Sequence, residues 1–305
     1  MDLSVIIVNW NTKDLLRECL ASIHHHWKHI CHEVIVIDNA SADGSSEMLK
    51  NEFRDVGLIQ NLENQGFAKA NNQGALLAGG RYLLLLNSDT KVLDSEVDKI
   101  IDYMDQHPEV GIASGRVLNA DFSAQNSFRR FPHPLGAFFR HTTRLVVGFN
   151  TPFHKKFQLA HIDKNRIAEV DWVTGAYMFI RKNVLENEKP FDDDMDMYYE
   201  DTLLCHTASQ KGYRIVFLPY AGIIHYGGAS AKTIRSSAIL KSCKSSVTYF
   251  RKTYGNRYSD IYRQGVKMAW LALTILFYFM EWIPFQSFKQ KASLFQELFQ
   301  RRNEI

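Results

Sequence analysis

Residues 81–90 read RYLLLLNSDT. Four consecutive leucines suit a strand buried on both faces, and strands of that kind belong to parallel sheets covered by helices. The run passes straight into Asn87, Ser88 and Asp89, which puts a carboxylate at the end of a core strand. Working outward, apolar runs of strand length lie at 3–8, 33–37, 56–60 and 82–86. Between them, the segments 13–27, 45–53 and 67–78 can each lay an apolar stripe on a sheet. This alternation predicts an α/β fold, a mostly parallel sheet flanked by helices.

Ligands of such sheets bind at the carboxyl ends of the strands. Asp38 and Asp89 both follow apolar runs directly, so both should point into that crevice. The first strand leads into Asn9, Trp10, Asn11 and Thr12, with neither a G-x-G-x-x-G turn nor a G-K-[ST] loop. A nicotinamide enzyme and a P-loop NTPase are thereby excluded. Phosphate held without a glycine loop usually needs a metal, and Mg²⁺ is typically bound by one or two carboxylates together with substrate phosphates. Asn87, Ser88 and Asp89 have the composition for this, although the same residue types also form ordinary turns. Asp43, beside Gly44, reads as a helix N-cap.

Composition narrows the classes further. With 305 residues, 46% of them hydrophobic, the chain can build one large domain with an appendage more readily than two equal domains. Its 36 basic and 33 acidic residues are too balanced for a general nucleic-acid binder. Cys19, Cys31, Cys205 and Cys243 form no C-x-x-C pair, as expected of reduced thiols in the cytoplasm. The start, MDLSVIIVNW, lacks the basic residues and longer apolar core of a signal peptide.

Further stretches extend the pattern. NLENQGFAKANNQGA supplies Asn64, Gly66, Asn71 and Asn72, polar groups suited to a sugar or nucleotide and equally to a turn and helix start. Gly175 and Ala176 precede another apolar run, where small residues let a ligand approach the backbone. Glu200 and Asp201 open a helix expected to end near Gly212, and His225 should follow a short strand, with Gly227 and Gly228 behind it.

In this order VNWN, IDNASADGS, NQGFAKANN, NSD, TGAYMFIRK, YYED and HYGGAS resemble the motifs of the family 2 glycosyltransferases of GT-A fold, within them the rhamnosyltransferase-like group. The resemblance covers residues 3 to about 230. It implies inverting transfer of a sugar from a nucleotide-diphosphate donor, dTDP-rhamnose-like or a UDP-sugar, to a saccharide acceptor, lipid-linked, in cell-surface polysaccharide synthesis. Asp38 would lie near the donor's base, Asp89 on a Mg²⁺ or Mn²⁺ ion, and His225 at a second metal or diphosphate contact. Asn9, Asn64, Gly66, Asn71, Asn87, Ser88 and Gly175 would complete the donor site. Asp201 would be the general base, with Glu200 beside it. The group usually reads E-D-x-D-L, and here Leu203 stands at the second Asp position. The chemistry asks for the same residue types: a metal can neutralise the departing diphosphate as a Lewis acid, and a carboxylate must take the acceptor's proton. A degenerate, non-catalytic membrane scaffold and a sugar-nucleotide pyrophosphorylase are the alternatives.

The implied layout is a transferase domain over 1–230, its nucleotide half about 1–118 and its acceptor half about 119–230, then a helical appendage over 231–305. HHHWKHICHE, with His24, His25, His26, His29 and His32, lacks a closed four-ligand spacing and reads as a solvated helix end. The basic, aromatic stretch 129–166 suits an anionic acceptor or simply a charged surface. The apolar run 268–280 is too short to span a bilayer, which needs about 20 residues. After Pro284, Phe288, Leu294, Phe295, Leu298 and Phe299 share one face flanked by Lys289, Lys291, Arg301 and Arg302. That pattern fits a helix lying on the inner face of the cell membrane, or one packed back on the domain.

Overall fold

The computed structural model describes residues 1–142, 159, 162–195, 197–227, 235–280 and 286–305. Of the stretch 129–166, Arg144, Phe149, Phe153, Lys155, Lys156 and Phe157 lie outside the described residues, as does Gly228.

The strands are β1 (Leu3–Asn9), β2 (His32–Asp38), β3 (Gly57–Gln60), β4 (Tyr82–Asn87), β5 (Thr90–Val92), β6 (Val110–Ser114), β7 (Val117–Leu118), β8 (Phe128–Arg129), β9 (Ala168–Glu169), β10 (Trp172–Val173), β11 (Tyr177–Arg181), β12 (Arg214–Phe217) and β13 (Ile223–His225). The helices are α1 (Lys13–His26), α2 (Ser45–Glu52), α3 (Phe67–Leu77), α4 (Val97–Gln106), α5 (Pro134–His141), α6 (Glu200–Gln210), α7 (Arg235–Tyr254), α8 (Asn256–Met280) and α9 (Gln286–Gln300). The main sheet runs β3-β2-β1-β4-β11-β6-β12-β9. β3, β2, β1 and β4 are mutually parallel, and β11 lies antiparallel to both β4 and β6. A three-stranded sheet, β5-β13-β7, and the pair β10-β8 complete the set.

The strands read as unbroken apolar runs because both faces are covered. Leu3, Val5 and Ile7 of β1 pack with Leu16, Leu20 and Ile23 of α1 and Ile100 and Met104 of α4. Their neighbour Ile6 joins Ile35, Ile37, Leu83 and Leu85 on the other face, beneath Ala68 and Ala70 of α3 and Leu204 and Ala208 of α6. The period of two along each strand thus feeds two cores.

The chain divides into two compact units. The first holds all three sheets with α1–α4 and α6; the second holds α5, Met197–Tyr199 and α7–α9. The second unit takes in α5 and Met197–Tyr199, which the sequence reading left in the acceptor half, because both meet partners there. The buried His141 ring of α5 lies 3.1 Å from the Ser242 hydroxyl and 2.7 Å from the Tyr262 hydroxyl, and the Trp270 indole donates to the His141 carbonyl. Ser245 donates to the Met197 carbonyl at 2.8 Å.

In the stripe after Pro284, Phe295 and Leu298 turn inward, the packed-back arrangement that the pattern also allowed. Phe295 and Leu298 of α9 are fully buried, and Phe295 stacks on Phe277 of α8 with ring centres 5.5 Å apart. An apolar stripe gains more from a complementary helix face within reach than from solvent. The exposed apolar face belongs to α8, where Ile261, Met268, Leu271, Ile275, Leu276 and Phe279 point outward. Among the described residues, no helix is long and apolar enough to cross a membrane.

Candidate active site

Side-chain hydrogen bonds, not a glycine-rich turn, shape the loops after β1 and β2. Asn9 and Asp38 are register partners on β1 and β2, and the Asn9 amide donates to Asp38 Oδ1 at 2.9 Å. Asp38 Oδ2 accepts from the Ser46 hydroxyl at 2.8 Å and the Ser41 N–H at 3.3 Å. Thr12 donates to Asn9 Oδ1 at 2.7 Å, and its hydroxyl meets that of Ser88 at 2.8 Å. Asp38, Asn9 and Ser88 are therefore brought together as a buried network tying the loops after β1, β2 and β4. Both Asp38 oxygens are engaged by the chain's own donors.

Asp43 is not the N-cap of α2, which is Gly44 at φ +82°. It accepts instead from the Lys13 N–H at 2.8 Å and the Ser45 N–H at 3.1 Å, bridging the starts of α1 and α2. Asn64 shapes the next loop: its Oδ1 accepts from the Gly66 N–H and from Asn39 Nδ2, both at 2.9 Å, and Gly66 takes φ +80°, open to glycine at little cost. Asn71 donates to the Phe67 carbonyl one turn back. Asn39, absent from the sequence reading, is the hub of this loop, also accepting from Gln65 N–H and Asn61.

The carboxylate that ends the leucine run meets the late histidine. β13 pairs antiparallel with β5, setting His225 opposite Thr90 and within the strand rather than after it. His225 Nε2 lies 3.3 Å from Asp89 Oδ1, and both side chains are largely buried. The Asn87 side-chain amide reaches the same Nε2 at 3.2 Å. With Nε2 unprotonated, the two facing atoms are both acceptors and repel unless a cation is shared. Adjacent octahedral ligands of Mg²⁺, each about 2.1 Å from the ion, stand about 3 Å apart. The spacing suits two ligands of one divalent cation; among the described residues no third His, Cys, Asp or Glu joins them, so substrate phosphate would complete the set.

The base candidate reaches the same place through the reversed strand. Because β11 runs antiparallel to β4, with Tyr177 opposite Leu86, it begins beside the point where β4 ends. Asn87 N–H donates to the Ala176 carbonyl at 3.1 Å, and Gly175 N–H donates to Asp201 Oδ2 at 3.1 Å. His225, Asn87, Ala176, Gly175 and Asp201 thus form one connected run. Asp201 Oδ1 accepts from the Thr202 N–H at 2.7 Å and its hydroxyl at 3.2 Å. Burial raises the Asp201 carboxyl above the ordinary range, opposed by these hydrogen bonds and the Arg129 charge. Glu200 is pushed further up, first by burial and then by the negative Asp201 beside it, and its buried Oε2 has no hydrogen-bond partner among the described residues. Of the two, Glu200 holds its proton the more tightly and Asp201 is the first to ionise. Tyr198 and Tyr199, at φ +72° and +67°, hold a strained turn immediately before α6. Leu203 sits half-buried in the first turn of that helix.

Of the histidines in HHHWKHICHE, His24 on α1 reaches Asp55 at 3.2 Å, and His29, beyond the end of α1, reaches Asp98 at 3.8 Å.

The profile of Glycosyl transferase family 2 matches residues 4–185, more than half of the chain. The chain belongs to this family. Among its relatives, the N-acetylglucosaminyl-diphospho-decaprenol L-rhamnosyltransferase of Mycobacterium tuberculosis is 22% identical over 230 residues, 71% of this chain and 73% of the relative. Rhamnosyltransferase WbbL of Escherichia coli is 24% identical over 270 residues, 84% and 96% of the two chains. The solved structure of the mannosyltransferase PcManGT from Pyrobaculum calidifontis, in complex with GDP-Man and Mn²⁺, superposes with a TM-score of 0.55 at 15% identity, covering 97% of this chain and 84% of that one. This family 2 glycosyltransferase therefore has the GT-A fold expected from its sequence, and it is rhamnosyltransferase-like.

Proposed function

We propose that this glycosyltransferase moves a rhamnosyl or related hexosyl group, with inversion, from a dTDP- or UDP-linked donor to a lipid-linked saccharide in cell-surface polysaccharide synthesis. The names of the two rhamnosyltransferase relatives support the sugar, and one of them the lipid-linked acceptor. The observation that carries the reading is the run of hydrogen bonds joining Asp89 and His225 at one end to Asp201 at the other.

Asp89 and His225 would hold Mg²⁺ or Mn²⁺, which when bound supplies a Lewis acid for the departing diphosphate. Asp201, with its raised proton affinity, takes the acceptor hydroxyl's proton as the new bond forms. Glu200, kept neutral, leaves the local negative charge on Asp201. Asn9, Asp38, Asn64, Gly66, Asn71 and Ser88 act by shaping the loops around the nucleotide, and Asn87 and Gly175 by holding the two reactive ends in register. The first 118 residues or so serve the donor, and those to about 230 serve the acceptor.

The partner surface for the lipid-linked substrate is the cytoplasmic membrane face, met by the exposed stripe of α8. From Ile261 to Phe279 it runs about 27 Å. Lys267 stands beside it, its proton affinity lowered by burial and by the like charges of Arg263 and Arg302, a basic cluster suited to anionic lipid.

Incubation with dTDP-, UDP- and GDP-sugars, Mn²⁺ and lipid-linked acceptors tests the reading. Acceptor-dependent release of nucleoside diphosphate supports it. Release of pyrophosphate would instead mark a pyrophosphorylase, and no turnover with any donor a scaffold.

A further inference from the structure

Gln125, in the stretch between β7 and β8, meets His225 at two points. Its Nε2 donates to the His225 carbonyl at 2.7 Å. A carbonyl only accepts, so this bond fixes which end of the amide is nitrogen. The other end, Oε1, lies 3.0 Å from His225 Nδ1. An amide oxygen only accepts as well, so Nδ1 carries a proton, and in the neutral ring the lone pair lies on Nε2. Nε2 is the atom that faces Asp89 Oδ1.

Gln125 is itself held on both sides of its backbone. Its N–H donates to the Val117 carbonyl at 2.9 Å, and its carbonyl accepts from Lys164 Nζ at 2.9 Å. Val117 belongs to β7, which pairs with β13 and places Val117 beside Ile223. The brace on the imidazole therefore grows from the strand next to the one that carries it.

The geometry points to Gln125 as the positioning residue that fixes the His225 ring in its Nδ1–H tautomer and so presents Nε2 to a divalent cation. This rests on Asp89 and His225 being the metal pair. A ligating histidine usually donates its second ring N–H to such a group, and losing that group weakens metal binding about 10–100-fold.

The full chain is compared with Gln125→Met, which keeps the length but loses both polar atoms, and Gln125→Glu, which keeps an acceptor for Nδ1–H. Two readouts are taken: Mn²⁺ uptake with dTDP, UDP or GDP, from the paramagnetic resonance of free Mn²⁺, and the His225 tautomer, from long-range ¹H–¹⁵N spectra without metal near pH 8. Gln125→Met should bind Mn²⁺ about 10–100-fold more weakly and admit the Nε2–H tautomer, whereas Gln125→Glu should hold both close to the parent. Parent-like affinity and tautomer in Gln125→Met would overturn the proposal alone. If Gln125→Met shows no melting transition, Gln125→Glu decides: loss of both readouts overturns the proposal, and retention supports it. A parent that takes up no Mn²⁺ with any of the three diphosphates overturns the metal pair and this proposal with it.

Discussion

Replacing Asp201 by Asn separates its chemistry from its structural duty. Asp201 accepts on both oxygens, from Gly175 N–H on one side and from Thr202 N–H and O–H on the other. An amide offers one oxygen, so whichever way it turns, one of these N–H groups faces an NH₂. That loss should cost about 1–3 kcal/mol of stability, leaving a folded protein. The lost proton acceptor should cost far more of the barrier, about 3–6 kcal/mol, or about 10²–10⁴ in turnover. Release of nucleoside diphosphate at saturating donor and acceptor gives the rate, and titration calorimetry gives donor affinity, which should stay within a few-fold. Glu200→Gln, by contrast, should keep turnover within about tenfold. If Asp201→Asn turns over like the parent while Glu200→Gln is dead, the roles are exchanged; if both remain active, the base lies elsewhere.

The same pair makes a signed prediction about stability and pH. Glu200's folded proton affinity lies well above the ordinary glutamate value of 4.5, so the folded chain holds this proton more tightly than the unfolded chain. The stability it lends is full below about 4.5 and is lost as pH rises toward the folded value. Glu200→Gln has no proton to lose, so from pH 5 to 8 its stability should rise relative to the parent, by at most about 1.4 kcal/mol per pH unit. Parallel denaturation midpoints for the two proteins across that range would remove the argument.

Asp89→Ala should fold normally, because its side chain meets His225 at the site rather than the core, and it should lose Mn²⁺-dependent donor binding; unchanged donor titrations would exclude Asp89 as a ligand. A Cβ at Gly175 would meet Phe67 at 3.5 Å and Asp201 Cβ at 3.6 Å, ordinary contact distances, so Gly175→Ala should shift stability by less than about 1 kcal/mol. Its effect should appear in KM; a large fall in Tm with KM unchanged would show that the glycine serves only packing. Ile275→Glu with Phe279→Glu should abolish sedimentation with anionic vesicles at unchanged Tm, since both side chains are exposed, and equal sedimentation would refute the membrane face.

Much of this was legible in the sequence because the first half of the chain is built on parallel strands covered on both faces. The runs at 3–8 and 82–86 each fell within a residue of the observed strand, since long apolar runs leave a strand few alternatives. The Asp89–His225 pairing was reachable only through the order of motifs: nothing local in HYGGAS says that β13 closes against β5. Gln125 was invisible because an isolated glutamine in a loop carries no pattern, and its meaning comes from two atoms of one distant histidine. The stripe after Pro284 left two arrangements open for a related reason. Amphipathicity states that a helix has an apolar face, not what covers it, and α9 spends that face on α8.

A displacement at a sugar carbon needs the leaving group and the incoming hydroxyl on opposite sides, so the group that steadies the diphosphate and the group that takes the proton must be separated yet rigidly related. Parallel strands alone deliver all their carboxyl ends to one edge, and the loops that follow them are free to differ in height. Reversing β11 changes this, because its first residues, not its last, arrive at that edge. Gly175 and Ala176 can then bond with backbone groups to Asp201 on one side and Asn87 on the other. On the β11 side both bonds use main-chain groups, the Gly175 N–H and the Ala176 C=O, so what the Asp201 carboxylate and the Asn87 N–H meet is set by strand register. The antiparallel strand in an otherwise parallel half-sheet is therefore the element that sets the span between the Asp89–His225 pair and Asp201.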